Sequence, residues 1–174
     1  MEEDKELIEG ILHENDISFE KLILKYRKPA IYFAQKILRD PYIAEDVVQE
    51  SFADFYVYKE RFNPKYSFKT YLFTIIRNKS VDYIKKNRIT FEENIEISTE
   101  DTTEKAYLNK ERRDIVLSKI NELKRDYRLA IYLVEFEELS YKEIAQIMNK
   151  NIAQVKIIIY RARKKLQTLL KGEV

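Results

Sequence analysis

Two helix starts separated by a very short break constrain this chain more than any other feature. In the stretch LSYKEIAQIMNKNIAQVKIIIYRARKKLQTLLK, residues 139–171, Ser140 is followed three positions on by Glu143, and Asn151 by Gln154. Each pair is a capping signal: the first side chain accepts from an orphan amide of the first helical turn, and the second reaches back to the cap's own amide. Between them Ile144, Ala145, Ile147 and Met148 recur at helical spacing, and Asn149-Lys150-Asn151 breaks the run. Asparagine tolerates the left-handed backbone of a helix end better than any residue but glycine, so the spacing predicts two helices joined by a tight turn.

On the second helix, at about 100° per residue, Ile152, Val155, Ile159, Ala162, Leu166, Leu169 and Leu170 share one stripe that must pack inward. The opposite stripe carries Ala153, Ile157, Tyr160, Arg161 and Lys164, with Gln154, Lys156 and Lys165 beside it. This is the layout of a helix-turn-helix, whose second helix enters the DNA major groove while cations at its margins meet phosphates. An ordinary helical hairpin with a solvated basic face has the same pattern, and this stretch alone does not separate the two.

The remainder is equally helical in character. Only two glycines and three prolines interrupt 174 residues, an all-α composition for a chain long enough to bury a core as one domain or two small ones. Net charge is +2, so its distribution carries more than its sum. Lys156 to Lys171 holds Lys156, Arg161, Arg163, Lys164, Lys165 and Lys171 without an acid, whereas Glu92, Glu93, Glu96, Glu100, Asp101 and Glu104 face only Arg88. Different segments therefore suit different partners. The absence of cysteine excludes disulfides and thiol chemistry, no apolar run approaches a membrane span, and the start MEEDKE is the reverse of a secretory leader. The expected location is cytoplasmic. The one histidine, His13, has no metal or catalytic partner nearby in sequence, and no phosphate loop, ligand spacing or nucleophile pattern occurs. No cofactor, metal, small-molecule substrate or enzymatic activity is expected.

Along the chain, Asp4 to Glu14 is a short amphipathic segment ended by Asn15-Asp16. Phe19, Leu22, Ile23, Tyr26, Ala30, Phe33, Ala34, Ile37 and Leu38 then recur at helical spacing, with Pro29 expected to kink or split the run. Asp40-Pro41 restarts the helix. In the next segment Ala44, Val47, Val48, Ser51, Phe52, Phe55 and Tyr58 fall on one side and Asp46, Gln49, Glu50, Ala53 and Val57 on the other. Alanine and valine set among acids and an amide fit a docking surface as well as a plain solvated face. A loop with Phe62, Asn63, Tyr66 and Ser67 leads into a helix starting near Phe68. That helix has Phe68, Leu72, Ile75, Ile76 and Tyr83 expected inward and Thr70, Thr74, Arg77, Asn78, Val81 and Lys85 outward. Aromatics beside a basic helix are what single-stranded DNA requires, though each serves a core equally well. Residues 89–104 are acidic, rich in Ser and Thr and aperiodic, as in a flexible linker. Helix resumes near Lys105, with Ile115, Val116, Ile120, Leu123, Tyr127, Ala130, Ile131, Leu133, Val134 and Phe136 expected to build a second core.

These pieces in this order resemble the extracytoplasmic-function (ECF) group of sigma-70-type RNA polymerase sigma factors. DPYIAEDVVQESF is similar to that family's polymerase-binding helix, FKTYLFTIIRNKSVDYIKK to its minus-10 segment, and LSYKEIAQIM with VK and RARKKL to its minus-35 reader. The resemblance implies two small helical domains, region 2 over 1–88 and region 4 with the helix-turn-helix over 105–174, joined by the flexible acidic linker at 89–104. It implies a non-enzymatic factor that binds core RNA polymerase and directs promoter-specific initiation. Asp46, Gln49, Glu50, Ala53 and Val57 would dock on the polymerase. Phe62, Tyr66 and Phe68 would stack on minus-10 bases, with Tyr71 in the same minus-10 set, Asn63, Ser67 and Asn78 hydrogen bonding and Arg77, Lys79, Lys85 and Lys86 meeting phosphates. Asn151, Gln154, Lys156, Ile157, Tyr160, Arg161 and Lys164 would read the minus-35 duplex. Family habit adds an anti-sigma factor, often membrane-anchored, as a further partner.

The chain departs from the family pattern at several places. Tyr71 stands where tryptophan is usual, Asn149 where the turn glycine is usual, and Lys150 where an apolar residue is usual. Ile157 and Ile158 replace a small polar residue followed by arginine. An isoleucine in the groove-facing stripe suits thymine methyl groups and so an A/T-rich element. Two other readings fit part of the sequence: a stand-alone helix-turn-helix regulator, which needs neither the docking stripe nor the aromatic loop, and a sigma-like interaction protein that does not read promoters.

Overall fold

The computed structural model describes residues 2–87 and 104–172, and side chains of 3–87 and 112–172. Most of the segment expected to be a linker, 89–103, lies outside the described residues. The first half runs α1 (Glu2–Leu12), α2 (Asp16–Leu38), α3 (Pro41–Val57), a single 3-10 turn (Lys59–Arg61) and α4 (Phe68–Asn87). The second runs α5 (Glu104–Asn121), α6 (Arg125–Ile131), a π-helical turn (Tyr132–Phe136), α7 (Tyr141–Met148) and α8 (Ile152–Lys171). Among the described residues there is no strand, and no helix is long and apolar enough to cross a membrane.

Each start is written locally. Asn15 accepts from the amides of Ile17 and Ser18, Asp40 from those of Tyr42 and Ile43, and Pro41 takes the first helical position, where its missing N–H costs nothing. Gly10 lies so close to Ser18 that a Cβ there would collide with its side chain, which lets α1 fold tightly back on α2. That contact is tied by Lys25, bonded to Glu3 and Asp4, and by the Tyr26 hydroxyl donating to Asp4 at 2.6 Å. Pro29 neither splits nor ends α2, which continues to Leu38; Ala30, Phe33 and Ala34 just beyond it are fully buried, and their packing carries the helix through.

The two halves share one core. Phe33 of α2 stacks on Phe73 of α4 with centroids 4.6 Å apart and planes 4° from parallel, and Tyr132 of the π-turn lies against Phe33 at 6.3 Å. The same contiguous apolar cluster continues into Leu129, Leu133, Ile144, Ile147, Met148, Val155 and Ile159, while Ile120, Leu123, Ile131 and Ala162 form a smaller one. Phe136 and Ile115, expected in the second core, are 44% and 37% exposed. The π-turn carries Phe136 past the core edge, where it stacks on Tyr132 at 5.7 Å.

Polar contacts finish the seam. The buried Arg128 donates to the carbonyls of Lys36 (2.9 Å), Asn121 (3.0 Å) and Leu123 (3.0 Å), so one guanidinium closes the C-terminal ends of both α2 and α5. Arg39 donates to the Asn121 carbonyl at 2.9 Å, and Lys36, only 7% exposed, reaches the Asn121 amide oxygen at 3.3 Å. Burial, then the charges of Arg128 and Arg39, push the Lys36 ammonium down to about 8.

A lysine lowered to about 8 from 10.5 costs the fold roughly 3 kcal/mol at neutral pH. The penalty is complete below pH 8, where both states are protonated, and fades as pH rises towards 10.5 because the folded chain releases its proton first. Lys36→Met is therefore expected to stabilise the protein by about 1–3 kcal/mol at pH 7, with the gain shrinking towards pH 10; urea unfolding of both proteins at the two pH values measures it. Glu138, exposed, holds a left-handed backbone at φ 52 that strains any residue with a Cβ. Glu138→Gly is expected to raise stability by about 0.5–1 kcal/mol in the same assay.

Candidate functional site

The outer face of α3 is set by its inner one. Ala44, Val47, Val48, Ser51, Phe52 and Phe55 are buried, and Ser51 satisfies its hydroxyl on the Val47 carbonyl at 2.7 Å. At helical spacing this turns Asp46, Gln49, Glu50, Ala53 and Val57 outward, all exposed, with Val57 at 69%. Tyr42, 80% exposed, extends the same stripe by one turn. Sequence reasoning missed it, although its position four residues before Asp46 is the signal. Tyr58, expected inward, is 46% exposed because α3 ends at Val57; its ring lies under the Arg61 guanidinium at 4.4 Å.

The aromatic loop behaves differently from expectation. Phe62, expected to stack on bases, is 6% exposed, and Phe68, expected both to stack and to lie on the inward stripe, is 2% exposed and packs inward. They pack edge-on around Phe55 at 6.1 and 4.8 Å, and Phe62 meets Tyr71 at 5.0 Å. Their rings are the anchor that holds the loop onto the bundle, and they have no free face for a base. Tyr66 is 58% exposed and Tyr71 half-buried, its hydroxyl pushed upward by burial and the nearby Asp54. Asn63 accepts from the Lys65 amide at 3.0 Å and Ser67 from the Thr70 amide at 3.4 Å, so both side chains shape the loop and the start of α4.

On α4, Arg77 donates to the Asn78 side chain at 3.2 Å, and Lys85 and Lys86 are exposed in the last turn. Lys79 is drawn to α3, paired with Asp54 at 2.7 Å and Glu50 at 3.3 Å. Thr70, expected outward, is 1% exposed because α7 packs over it. Its hydroxyl donates to Glu143 at 3.1 Å, and the preceding Lys69 pairs with Glu137.

The helix-turn-helix forms as its caps dictate. Ser140 with Glu143 and Asn151 with Gln154 are reciprocal capping boxes, the second with bonds of 2.8 and 3.0 Å, and Asn149 turns the chain at φ 53, ψ 51. Lys150, at the position usually apolar, pairs with Asp126 at 3.2 Å. Val155, Ile159 and Ala162 anchor α8, leaving Asn151, Ala153, Gln154, Lys156, Ile157, Tyr160, Arg161 and Lys164 exposed on the far side. Ile157 is 49% and Tyr160 66% exposed, and Ile158 sits half-buried at the border. Ile152, expected inward, is 44% exposed at the first turn. Arg163 is held by Glu135 through two donors at 2.9 and 2.7 Å.

These surfaces offer directed cations, exposed aromatics and an acidic-apolar stripe, and among the described residues no cluster of His, Cys, Asp or Glu is placed to hold a metal ion. Residues 22–89 match the family model for sigma-70 region 2, and residues 113–166 that for sigma-70 region 4. The chain is 31% identical over 182 residues to the ECF RNA polymerase sigma-E factor of Haemophilus influenzae, covering 97% of this chain and 95% of that one. It is 27% identical over 156 residues to the ECF RNA polymerase sigma factor SigM of Bacillus subtilis, covering 88% and 95%. Among solved structures, the sigma factor RpoE in complex with the anti-sigma factor NepR from Bartonella quintana superposes with a TM-score of 0.71 at 25% identity, covering 88% of this chain and 96% of that one. CnrH in complex with the cytosolic domain of CnrY shares the fold, with a TM-score of 0.71 at 23% identity and 99% of both chains covered. The chain belongs to the sigma-70 family of RNA polymerase sigma factors, in its extracytoplasmic-function group.

Proposed function

We propose that the work of an alternative sigma factor is divided over three exposed faces of this chain, in two domains bounded near 1–88 and 105–174. As a sigma factor it binds core RNA polymerase and directs initiation at promoters by recognising minus-10 and minus-35 elements. The assignment rests above all on one observation: the α8 stripe from Gln154 through Lys156, Ile157, Tyr160 and Arg161 to Lys164 lies open to solvent behind two complete capping boxes. A helix so presented fits the major groove, where Ile157 meets thymine methyl groups, Tyr160 and Gln154 reach base edges or sugars, and Lys156, Arg161 and Lys164 meet phosphates.

The α3 stripe of Tyr42, Asp46, Gln49, Glu50, Ala53 and Val57 docks on the polymerase. A stand-alone regulator would have no use for it. Tyr66 and Tyr71 supply flat surfaces for unpaired bases beside the α4 backbone contacts of Arg77, Asn78, Lys85 and Lys86, while Asn63 and Ser67 fix the loop that carries Tyr66. Lys79 joins that set once it leaves Asp54. The mechanism is binding energy without bond chemistry: strand opening is stabilised by capture of unstacked bases, and the protein acts in the cytoplasm as a non-enzymatic subunit. The solved sigma factor in complex with its anti-sigma factor supports an anti-sigma partner here as well.

Run-off transcription by core polymerase, with and without this protein, on a genomic promoter pool tests the whole reading; no new promoter-specific transcript would overturn it. Asp46→Lys, Gln49→Ala and Tyr42→Ala are each expected to weaken association with core polymerase, the charge reversal by about tenfold or more, measured by competition against the wild-type protein. Ile157→Ser should lower thymine preference within the minus-35 element about fourfold, the worth of roughly one buried methyl group, in a binding-site selection with holoenzyme. Unchanged base frequencies would remove Ile157 from the readout.

A further inference from the structure

Five cations line α4, and their partners differ in origin. Arg77 bonds its neighbour Asn78, Lys79 is tied to α3, and Lys85 and Lys86 are open to solvent. Lys69 alone among these described pairs takes its carboxylate from the other half of the protein, Glu137 at the exit of the π-turn. Next to it Thr70, buried at 1%, gives its hydroxyl proton to Glu143 of α7 at 3.1 Å. Two consecutive side chains in the first turn of the minus-10 helix thus hold two carboxylates from the helix-turn-helix half.

Neither carboxylate is incidental. Glu137 has a side chain only 8% exposed and is oriented by the Tyr132 hydroxyl at 2.7 Å. Glu143 divides its two oxygens, one accepting from the Ser140 amide and hydroxyl and the other from Thr70. Burial pushes the Glu143 carboxyl upward, but the Ser140 hydroxyl and amide, then Thr70 and the Lys69 charge, outweigh it and keep it ionised. A cation and a hydroxyl that select anionic oxygens from a carboxylate select them equally from a phosphodiester.

We propose that Lys69 and Thr70 are a backbone-phosphate contact for the single-stranded minus-10 region, masked in the free protein by Glu137 and Glu143, so that DNA and the closed arrangement of the two halves compete for the same side chains. The inference rests on the promoter reading of α4. Geometry requires the mask to lift in use. Elements separated by about 25 base pairs at about 3.4 Å each lie roughly 85 Å apart, whereas a compact chain of 174 residues is roughly 40 Å across. Engagement of both elements separates the halves, and with them Glu137 and Glu143 from Lys69 and Thr70.

The test is fluorescence anisotropy of a labelled single-stranded (dT)12 oligonucleotide with the whole 174-residue chain at low salt. A phosphate contact does not depend on base sequence, so this probe suffices. Glu137→Gln keeps the Tyr132 bond but releases Lys69, and is expected to bind about fivefold tighter than wild type. Glu20→Gln, the same charge change on the exposed surface of α2, should alter binding less than twofold, and Lys69→Gln added to Glu137→Gln should abolish the gain. Equal gains from Glu137→Gln and Glu20→Gln, or a gain that survives Lys69→Gln, would overturn the mask. Failure of the underlying reading looks different: Lys85→Gln and Lys86→Gln would then leave oligonucleotide binding unchanged, whereas weakened binding in those variants with no effect of Glu137→Gln refutes the mask alone.

Discussion

The stacking of Phe33 on Phe73, with Tyr132 against Phe33, is the interaction on which the rest of the arrangement depends. Phe33 and Phe73 belong to the bundle that carries the surfaces proposed for polymerase docking and minus-10 binding, and Tyr132 to the half that carries the helix-turn-helix. Because Phe33 meets both of the other rings inside one continuous core, each half completes the other's interior. The hydrogen bonds and ion pairs along the seam then decide register: Arg128 fixes the end of α2 against α5, and the contacts of Lys69 and Thr70 fix α4 against α7. Apolar burial supplies the attraction, and these directed contacts specify which faces meet.

That division explains which surfaces stay open. The α3 stripe and the outer face of α8 point away from the seam and remain exposed, whereas the first turn of α4 points into it. In the closed arrangement the protein keeps the surfaces that would meet polymerase and duplex DNA in solvent, and withholds part of the surface proposed for separated strands. On the proposed reading, a factor built in this way would present first what polymerase and duplex need, and the first turn of α4 only once something had drawn the halves apart.

How much of this was legible in the sequence depended on whether a residue's surroundings are local. Asn149, the two capping boxes and Asp40-Pro41 were readable because their partners lie within four positions along the chain. The inner and outer faces of α3 and α8 were readable because periodicity alone sorts them, with Ile152 and Tyr58 missed at helix ends where a stripe runs out of neighbours. Thr70 was not readable, since its burial comes from α7, far along the chain. Phe68 was readable as an inward residue from the period of α4, but Phe62 was not: an aromatic in a loop has the same composition whether it stacks on a base or plugs a core, and only the positions of Phe55 and Tyr71 decide between the two. The shared core itself left no signal, because residues that pack across the seam have the same hydrophobicity as residues that pack within each half.

Lys79 adds a connection between surfaces that the sequence keeps apart. It sits on α4, proposed to meet the minus-10 strand, yet rests on Asp54 and on Glu50, a member of the α3 stripe proposed to dock on polymerase. Under the proposed function, a polymerase group that claimed Glu50 would loosen Lys79, and a phosphate that claimed Lys79 would leave Glu50 uncompensated and open to a cationic partner. Linkage would make such an exchange symmetrical: whatever factor polymerase added to the affinity for the opened strand through this pair, the strand would return to the affinity for polymerase. A shared counter-ion of this kind lets two ligands that never touch each other bind as a cooperative pair.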